Sequence, residues 1–185
     1  MRNVELTKQR ILEAATAEFS EHGFAGARVD RIAANASANK ALIYSYFGNK
    51  EALFVAVRYE ILRQIVQDVP IDPTDLPGYL ARRLDWQFHN PALSRIFTWG
   101  TLELDDAPAI AGAAEIHARK LALIAGAQQA GVIGTSFTPQ DVLDLIDALT
   151  RPTRWLGNAS AADVEDFKRY QRIAVAALEK LIAKD

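Results

Sequence analysis

The stretch that most constrains this chain runs over residues 28–50 and reads RVDRIAANASANKALIYSYFGNK. The apolar residues of its first part share one helix face, at positions i, i+3 and i+4: Val29, Ile32 and Ala33. Small residues fill positions 34–38, and a second apolar face follows them: Leu42, Ile43 and Phe47. The pattern therefore predicts two short helices joined by a tight turn.

Polar residues mark both ends of the second predicted helix. Asn39 precedes it and can act as its N-cap, because an asparagine side-chain oxygen accepts a hydrogen bond from a backbone N–H one turn on. Gly48 stops the helix, and Asn49 can cap a further helix that starts at Lys50. This is the layout of a helix-turn-helix, in which the start of the second helix meets base edges and phosphates of DNA.

With its flanks, the stretch resembles the N-terminal DNA-binding segment of TetR-family transcriptional regulators. The residues that carry the resemblance occur in the family's order and spacing: Gly23-Phe24, Ile32-Ala33, Tyr44-x-Tyr46-Phe47 and Lys50-Glu51-x-Leu53-Phe54. The resemblance covers about the first 50 to 60 residues. It implies an N-terminal DNA-binding domain, followed by a helical body that binds a small molecule and forms a homodimer.

The chain also departs from the family's pattern. Ser37-Ala38-Asn39 stands where the family usually has Gly-Val-Ser, so a residue with a side chain must take the turn, whereas Asn39 can still cap. Ala41-Leu42 replaces a frequent Gly-Thr or Gly-Ser pair, and Ala27 replaces a frequent Thr. Because of the changes at 41 and 42, the base sequence that is read cannot be predicted by analogy.

DNA contact at such a motif needs a helix N-terminus that faces phosphate, flanking cations and side chains that reach base edges. The candidate DNA-binding residues are Arg28, Asn39, Lys40, Ala41, Tyr44, Tyr46 and Lys50. Lys40 can contact a phosphate or a guanine edge, Tyr44 can use its hydroxyl, and Ala41 can touch a thymine methyl. Tyr46 and Lys50 resemble the family's phosphate-binding Tyr and Lys. Core packing remains the alternative for each aromatic residue.

Composition narrows the remaining possibilities. The chain has 185 residues, half of them apolar, which suits one domain or two small ones with a packed core. It has no cysteine, which excludes disulfides, thiolate zinc sites and a cysteine nucleophile. No apolar run approaches the roughly 18 residues that span a bilayer. The charged N-terminus is not typical of a signal peptide, so we expect a cytoplasmic protein.

The net charge of −2 is not typical of a nucleic-acid binder. Residues 1–60 hold eight Lys/Arg and seven Asp/Glu, a charge of +1, and residues 61–185 hold thirteen and sixteen, a charge of −3. A weakly basic head on an acidic body fits DNA contact through a small face that dimerisation doubles. Both charges also lie within ordinary scatter, so charge alone does not indicate DNA binding.

Apolar residues recur at helical spacing along the rest of the chain, and no segment shows sustained two-residue alternation. The helices predicted outside the motif cover 7–21, 50–68, 76 or 78 to 90, 91–104, 108–130, a segment from 139 after a Thr138 cap, and 160–183. We predict an all-α fold of about nine helices. Residues 1–60 form the helix-turn-helix domain, and residues 61–185 form the ligand-binding and dimerisation domain.

The middle helices are where the family resemblance implies a cavity for a small-molecule effector. Aromatic and histidine side chains concentrate there: Trp86, Phe88, His89, Phe97, Trp99 and His117. Ligand pockets are mostly apolar with a few polar anchors, although ordinary packing explains any one of these residues as well. A bound effector would shift the connecting helix 50–68 and thereby the spacing of two recognition helices.

One recognition helix reads too little DNA, so we expect a homodimer with half-sites about 34–36 Å apart or a multiple of that distance. The last helix has a seam that can pack on a partner: Val164, Phe167, Gln171, Ala174, Leu178 and Leu181. Residues of the preceding segment can join it in a four-helix contact: Leu145, Leu149 and Trp155. A monomer core needs the same spacing, and the family resemblance favours the dimer.

An enzyme and a helical protein without DNA binding are the two alternatives to a ligand-responsive DNA-binding regulator. The three histidines lie far apart, and there is no Gly-rich phosphate loop, so we predict no catalysis, no metal site and no cofactor. The second alternative is a helical ligand-binding or scaffold protein that has lost DNA binding, which the departures at Ser37, Ala41 and Leu42 keep open. Repression is the family's usual outcome, and activation stays open.

Overall fold

The computed structural model describes residues 2–103, 112–150 and 161–184, which form an all-α fold. Its helices are α1 Arg2–Gly26, α2 Val29–Asn35, α3 Lys40–Phe47, α4 Lys50–Asp68, α5 Leu76–His89, α6 Pro91–Glu103, α7 Ala113–Gln129, α8 Pro139–Leu149 and α9 Ala161–Leu181. Within these ranges there is no strand. The predicted fold class is therefore confirmed. The predicted helix starts at residues 108 and 160, and the predicted interface residue Trp155, lie outside the described residues.

The described residues fall into two compact units. The first unit comprises residues 2–63 and 92–103, which include α1 to α3, most of α4 and nearly all of α6. The second unit comprises residues 64–91, 112–150 and 161–184, which include α5, α7, α8 and α9. No pattern in the sequence indicated that α6 joins the N-terminal helices. The domain division near residue 60 stays a prediction.

The core of the first unit is built from the apolar faces that the sequence predicted. Its fully buried side chains come from five helices: Ile11, Ala15 and Phe19 of α1, Ile32 of α2, Ile43 of α3, Leu53, Phe54 and Val57 of α4, and Ile96 of α6. The rings of Phe19 and Phe54 meet edge to face, with centroids 4.9 Å apart. Burying such side chains stabilises by about 1.5–3 kcal/mol each, so these contacts hold α2 and α3 in place.

Helix α1 differs from its prediction at both ends. It begins at Arg2 rather than Thr7, and it continues past a kink at Gly23 to Gly26. Gly23 has φ 68° and ψ −178°, a backbone conformation that is essentially restricted to glycine, and a Cβ there would also lie 2.7 Å from a Glu103 carboxylate oxygen. Glu103 also accepts a hydrogen bond from the Ala25 N–H at 2.7 Å. Helix α6 thus fixes the end of α1.

The second unit is a helical body with its own core. Its buried side chains come mainly from α5, α7, α8 and α9 and include Tyr79, Leu80, Leu84, Ile124, Leu143, Ile146, Phe167, Ala174 and Leu178. The Phe88 and Phe167 rings stack with centroids 4.2 Å apart, and Gln171 donates to the Ala81 carbonyl at 3.0 Å. Helix α8 begins as predicted, with Pro139 in its first turn and Thr138 as its cap.

This core corrects part of the predicted dimer seam. Phe167, Ala174 and Leu178 are buried among side chains of their own chain, so they are not free to contact a second copy. The physical reason is that a three- and four-residue repeat marks a buried helix face and does not tell which helix covers it. The other described members of the seam are only partly buried: Leu145, Leu149, Val164, Gln171 and Leu181.

Candidate nucleic-acid interface

The turn between α2 and α3 is closed by backbone hydrogen bonds. The Ala38 N–H donates to the Ala33 carbonyl at 2.9 Å, and the Ser37 N–H donates to the Ala34 carbonyl at 3.2 Å. This is a Schellman motif, in which the residue after the helix cap takes the left-handed conformation. Ser37 has φ 49° and occupies that position. A residue with a side chain takes the turn, as the missing glycine predicted.

Two asparagines cap the helices that follow the turn, and both caps were predicted. Asn39 Oδ1 accepts from the Leu42 N–H at 2.7 Å, and Asn49 Oδ1 accepts from the Ala52 N–H at 2.7 Å. Each side chain satisfies one of the backbone donors that a helix start leaves without a partner. The first turn of α3 is therefore rigid, and its remaining N–H groups favour an anion.

The start of α3 faces outward. The Lys40 side chain is 47% exposed, and Tyr44, one turn later, is 38% exposed. Asn39 and Ala41 are exposed beside them, while Ile43 is fully buried and anchors the opposite face. A helix with a buried anchor and an exposed polar start can enter the major groove of a duplex.

Tyr46 and Lys50, the two residues that resemble phosphate binders, are partly buried. The Lys8 ammonium lies 5.6 Å from the centre of the Tyr46 ring. The Lys50 ammonium lies 3.3 Å from the Ala25 carbonyl oxygen and 4.9 Å from the Phe24 ring centroid, and burial lowers the pKa of Lys50. Contacts with α1 therefore hold Tyr46 on α3 and Lys50 at the start of α4.

A buried carboxylate positions α2, and this role was missed in the sequence. The Glu18 side chain is 3% exposed and accepts hydrogen bonds from the Arg28 N–H at 2.8 Å and from Arg31 Nε at 2.8 Å. Burial alone would raise the pKa of Glu18, but these hydrogen bonds and the Arg31 charge bring it below its ordinary value. The one available signal was an acidic residue next to the apolar stripe of α1.

Lys40 also has a partner that sequence reasoning missed. Its ammonium nitrogen lies 3.1 Å from both carboxylate oxygens of Asp30, the second residue of α2. This hydrogen bond, together with the Asp30 charge, raises the pKa of Lys40. Arg28 is exposed at the start of α2, with its backbone extended and its N–H held by Glu18. The predicted DNA-binding residues thus lie at the start of α2, along α3 and at the start of α4.

The predicted effector residues are divided between the two units. Phe97 and Trp99 belong to the first unit, where the Phe97 ring centroid lies 5.6 Å from the Arg58 guanidinium carbon. The other four belong to the second unit: Trp86, Phe88, His89 and His117. Trp86 donates to Asp68 at 3.0 Å, and a ring nitrogen of His117 lies 3.1 Å from the Gln140 side-chain oxygen. These contacts leave the effector assignment a prediction.

Within the described ranges, no group of His, Cys, Asp and Glu side chains is placed to hold a metal ion. None of the described helices combines the length and the apolar character needed to cross a bilayer.

Comparison with known protein families gives two matches. The family model described as bacterial regulatory proteins, tetR family, matches residues 11–57, which contain α2 and α3. The model described as tetracyclin repressor-like, C-terminal domain, matches residues 75–179. Together the two matches cover the helix-turn-helix and most of the helical body.

Individual proteins with similar sequences are also helix-turn-helix transcriptional regulators. The HTH-type transcriptional repressor SCO4008 of Streptomyces coelicolor is 45% identical over 150 residues, which cover 80% of this chain and 78% of that protein. The HTH-type transcriptional regulator RutR of Escherichia coli K12 is 35% identical over 107 residues, 52% of this chain and 48% of that protein.

Among solved structures, SCO4942 of Streptomyces coelicolor, described as a transcriptional regulator, aligns with a TM-score of 0.76 and 34% identity over 95% of this chain and 98% of that chain. FadR of Bacillus subtilis, solved in complex with stearoyl-CoA, aligns with a TM-score of 0.69 over 94% and 97% of the two chains. Its identity is 18%, so this likeness shows the fold alone.

Proposed function

Since the chain belongs to the TetR family of helix-turn-helix transcriptional regulators, we propose that it represses transcription as a homodimer on a palindromic operator and is released by a small molecule. The observation that carries the proposal is the outward-facing start of α3, where Lys40 and Tyr44 are exposed on a helix anchored by Ile43. Repression is favoured over activation by the relative of 45% identity, which is itself a repressor.

In the proposed complex, α3 lies in the major groove. Lys40 donates to a phosphate or a guanine edge, Tyr44 reaches a base or a phosphate with its hydroxyl, and Ala41 permits close approach to a thymine methyl. Lys50 and Tyr46 hold the flanking phosphates, and Arg28 contacts the backbone beside the start of α2. Phosphate contacts position the head, and contacts to base edges supply the specificity.

The proposed dimer uses those apolar residues of α8 and α9 that the core leaves partly exposed. Leu145 and Leu149 form one stripe of α8, and Leu181 lies on α9. Ile173, eight residues before Leu181 on α9, is 58% exposed and belongs to the same proposed surface. Because two heads must engage one duplex at once, the dimer sets the distance between the half-sites.

The effector is proposed to act on the helical body. Trp86, Phe88, His89 and His117 of the second unit remain the candidates for contacting it, whereas Phe97 and Trp99 of α6 belong to the first unit and stay a separate prediction. A ligand that prefers the body with its helices spread apart would pull α4, which continues from the first unit into the second. Such a ligand shifts the equilibrium only by its difference in affinity for the two states. If no small molecule changes DNA affinity, this part of the proposal fails.

The test begins by selecting bound fragments from a pool of random DNA duplexes. Wild-type protein is expected to enrich an inverted repeat, which then serves as the operator in gel-shift measurements. Tyr44→Ala is expected to abolish binding to that operator, because it removes a contact from the middle of the reading surface. The matched control is Tyr59→Ala, since Tyr59 is 37% exposed on α4, outside α3.

Both variants are first checked for folding by circular dichroism and for dimer formation by sedimentation. Operator affinity equal to wild type in Tyr44→Ala would refute the assignment of α3 as the reader. Failure of the wild-type protein to stay on random DNA even at low salt would instead favour a helical ligand-binding protein without DNA binding. That alternative is supported by the acidic partners that Arg31 and Lys40 already have.

A further inference from the structure

The contact between Lys40 and Asp30 places a carboxylate at the point where α3 would first meet DNA. Lys40 is the first residue of α3, and Asp30 lies ten positions earlier, on α2. Both Asp30 oxygens are 3.1 Å from the Lys40 nitrogen. The Asp30 side chain is 73% exposed, so the pair sits on the outer surface of the motif. The closed turn at Ser37 fixes the two helices and therefore keeps these side chains within reach of each other.

A carboxylate on Lys40 takes the place that a DNA phosphate would occupy. When Lys40 turns to a phosphate, it gives up Asp30, and the Asp30 charge is left beside a polyanion without its partner. An exchange of one anion for another gains little, so on arbitrary DNA Lys40 has little to gain from leaving Asp30. On the operator, contacts between α3 and base edges form at the same time and can offset the loss of the ion pair. Asp30 should therefore weaken binding to arbitrary DNA more than binding to the operator.

Other cations of the head also have partners within the chain. The Arg31 guanidinium is bound to buried Glu18, and Lys50 donates to the Ala25 carbonyl. Binding to DNA of arbitrary sequence depends almost wholly on cations that pair with phosphates. Because Lys40 stands at the start of the reading helix, its availability has a direct effect on this non-specific binding.

We propose that Asp30 is a specificity-determining residue, an internal competitor for Lys40 that suppresses binding to DNA of arbitrary sequence more than binding to the operator. The inference rests on the proposed function, since it requires that α3 reads a duplex. It goes beyond that function by giving an acidic residue of α2 a role in discriminating the operator from DNA of arbitrary sequence.

The experiment compares binding of the full-length protein to two duplexes of equal length, one carrying the selected operator and one of random sequence, by fluorescence anisotropy at a fixed salt concentration. An exposed ion pair changes an equilibrium by about 1.5- to 5-fold. With two heads per dimer, Asp30→Asn is expected to tighten binding to the random duplex by about 2- to 25-fold. Operator binding should tighten less, so the ratio of the two affinities falls.

The matched control is Glu21→Gln. It removes one negative charge from an α1 side chain that is 75% exposed and has no contact with Lys40. This control should leave the ratio of the two affinities unchanged. In a Lys40→Met background, Asp30→Asn should change the affinity for the random duplex much less, because there is then no ammonium for which Asp30 and a phosphate compete.

Two results would overturn the inference. One is an Asp30→Asn effect that equals the Glu21→Gln effect on both duplexes, and the other is an Asp30→Asn effect that persists undiminished without Lys40. Thermal unfolding of each variant verifies that the head is intact. If the wild-type protein selects no operator, the proposed function fails. In that case the random duplex alone tests the competition for Lys40: the Asp30→Asn variant must bind it more tightly than the Glu21→Gln variant does.

Discussion

The turn of the helix-turn-helix holds a serine where the backbone favours glycine, and replacing it should stabilise the protein. Ser37 has φ 49° and follows the C-cap of α2, with its N–H bonded to the Ala34 carbonyl. A side chain in this left-handed conformation crowds the following carbonyl, a cost of about 1–2 kcal/mol. Glycine removes that cost but loses more backbone freedom on folding, about 0.4–1 kcal/mol. The net expectation for Ser37→Gly is a gain of about 0.5–1 kcal/mol.

The same chain supplies a matched control in the second unit. Helix α7 ends in an equivalent turn, where Gly131 has φ 65°, its N–H donates to the Gln128 carbonyl at 3.0 Å, and the Val132 N–H donates to the Ala127 carbonyl at 2.8 Å. A Cβ at Gly131 would meet nothing within 4 Å. Gly131→Ser therefore tests the backbone cost without a clash, and it should destabilise by about the amount that Ser37→Gly stabilises.

The assay is urea and thermal unfolding followed by circular dichroism, at one protein concentration because dimers unfold in a concentration-dependent way. A gain of 0.5–1 kcal/mol corresponds to a rise in Tm of about 1–4 °C for a chain of this size, with the urea m-value unchanged. If the two units unfold in separate transitions, Ser37→Gly should raise the midpoint of the first unit's transition and leave that of the second unit unchanged. A loss of stability in Ser37→Gly, alongside the expected loss in Gly131→Ser, would refute the reasoning.

Two further predictions concern the buried carboxylate and the phosphate contact. Glu18→Gln should lower the free energy of unfolding by about 1.5–3 kcal/mol, the range for hydrogen bonds to a charged group. Because folding lowers the pKa of Glu18, its stabilising contribution is present above the ordinary pKa of 4.5 and is lost as pH falls through the folded pKa. The free energy of unfolding of the variant should therefore fall less steeply with acid than that of the wild-type protein. Lys50→Met should weaken binding to operator and random duplexes alike and reduce the salt slope of binding by about one unit; a loss confined to the operator would contradict a phosphate contact.

The features of the motif that depend on near neighbours were predictable from the sequence. Asn39 and Asn49 cap helices through hydrogen bonds to residues three positions on, and Ser37 takes a backbone position set by the helix just before it. Helix faces were predictable for the same reason, because the apolar period of a helix is local. Val29, Ile32 and Ile43 are accordingly buried, as their spacing predicted.

The features that depend on distant residues were not predictable. The α9 repeat that includes Phe167 and Leu178 has the period of an interface, but it is covered by the chain's own helices. Glu18 finds its partners ten and thirteen positions away, and Glu103 reaches Ala25 across 78 positions. A single sequence does not indicate such pairings, because the type of a residue gives its charge but not which distant residue lies beside it in the fold.

The central claim is that the start of α3 lies in the major groove of a duplex. The most direct measurement places a photo-reactive phenylalanine derivative at position 44 and, as a control, at position 59, both exposed in the structure. When the protein is bound to the selected operator and irradiated, we expect a crosslink from position 44 to a base within each half-site and none from position 59. A complex that binds the operator but crosslinks only from position 59 would contradict the claim.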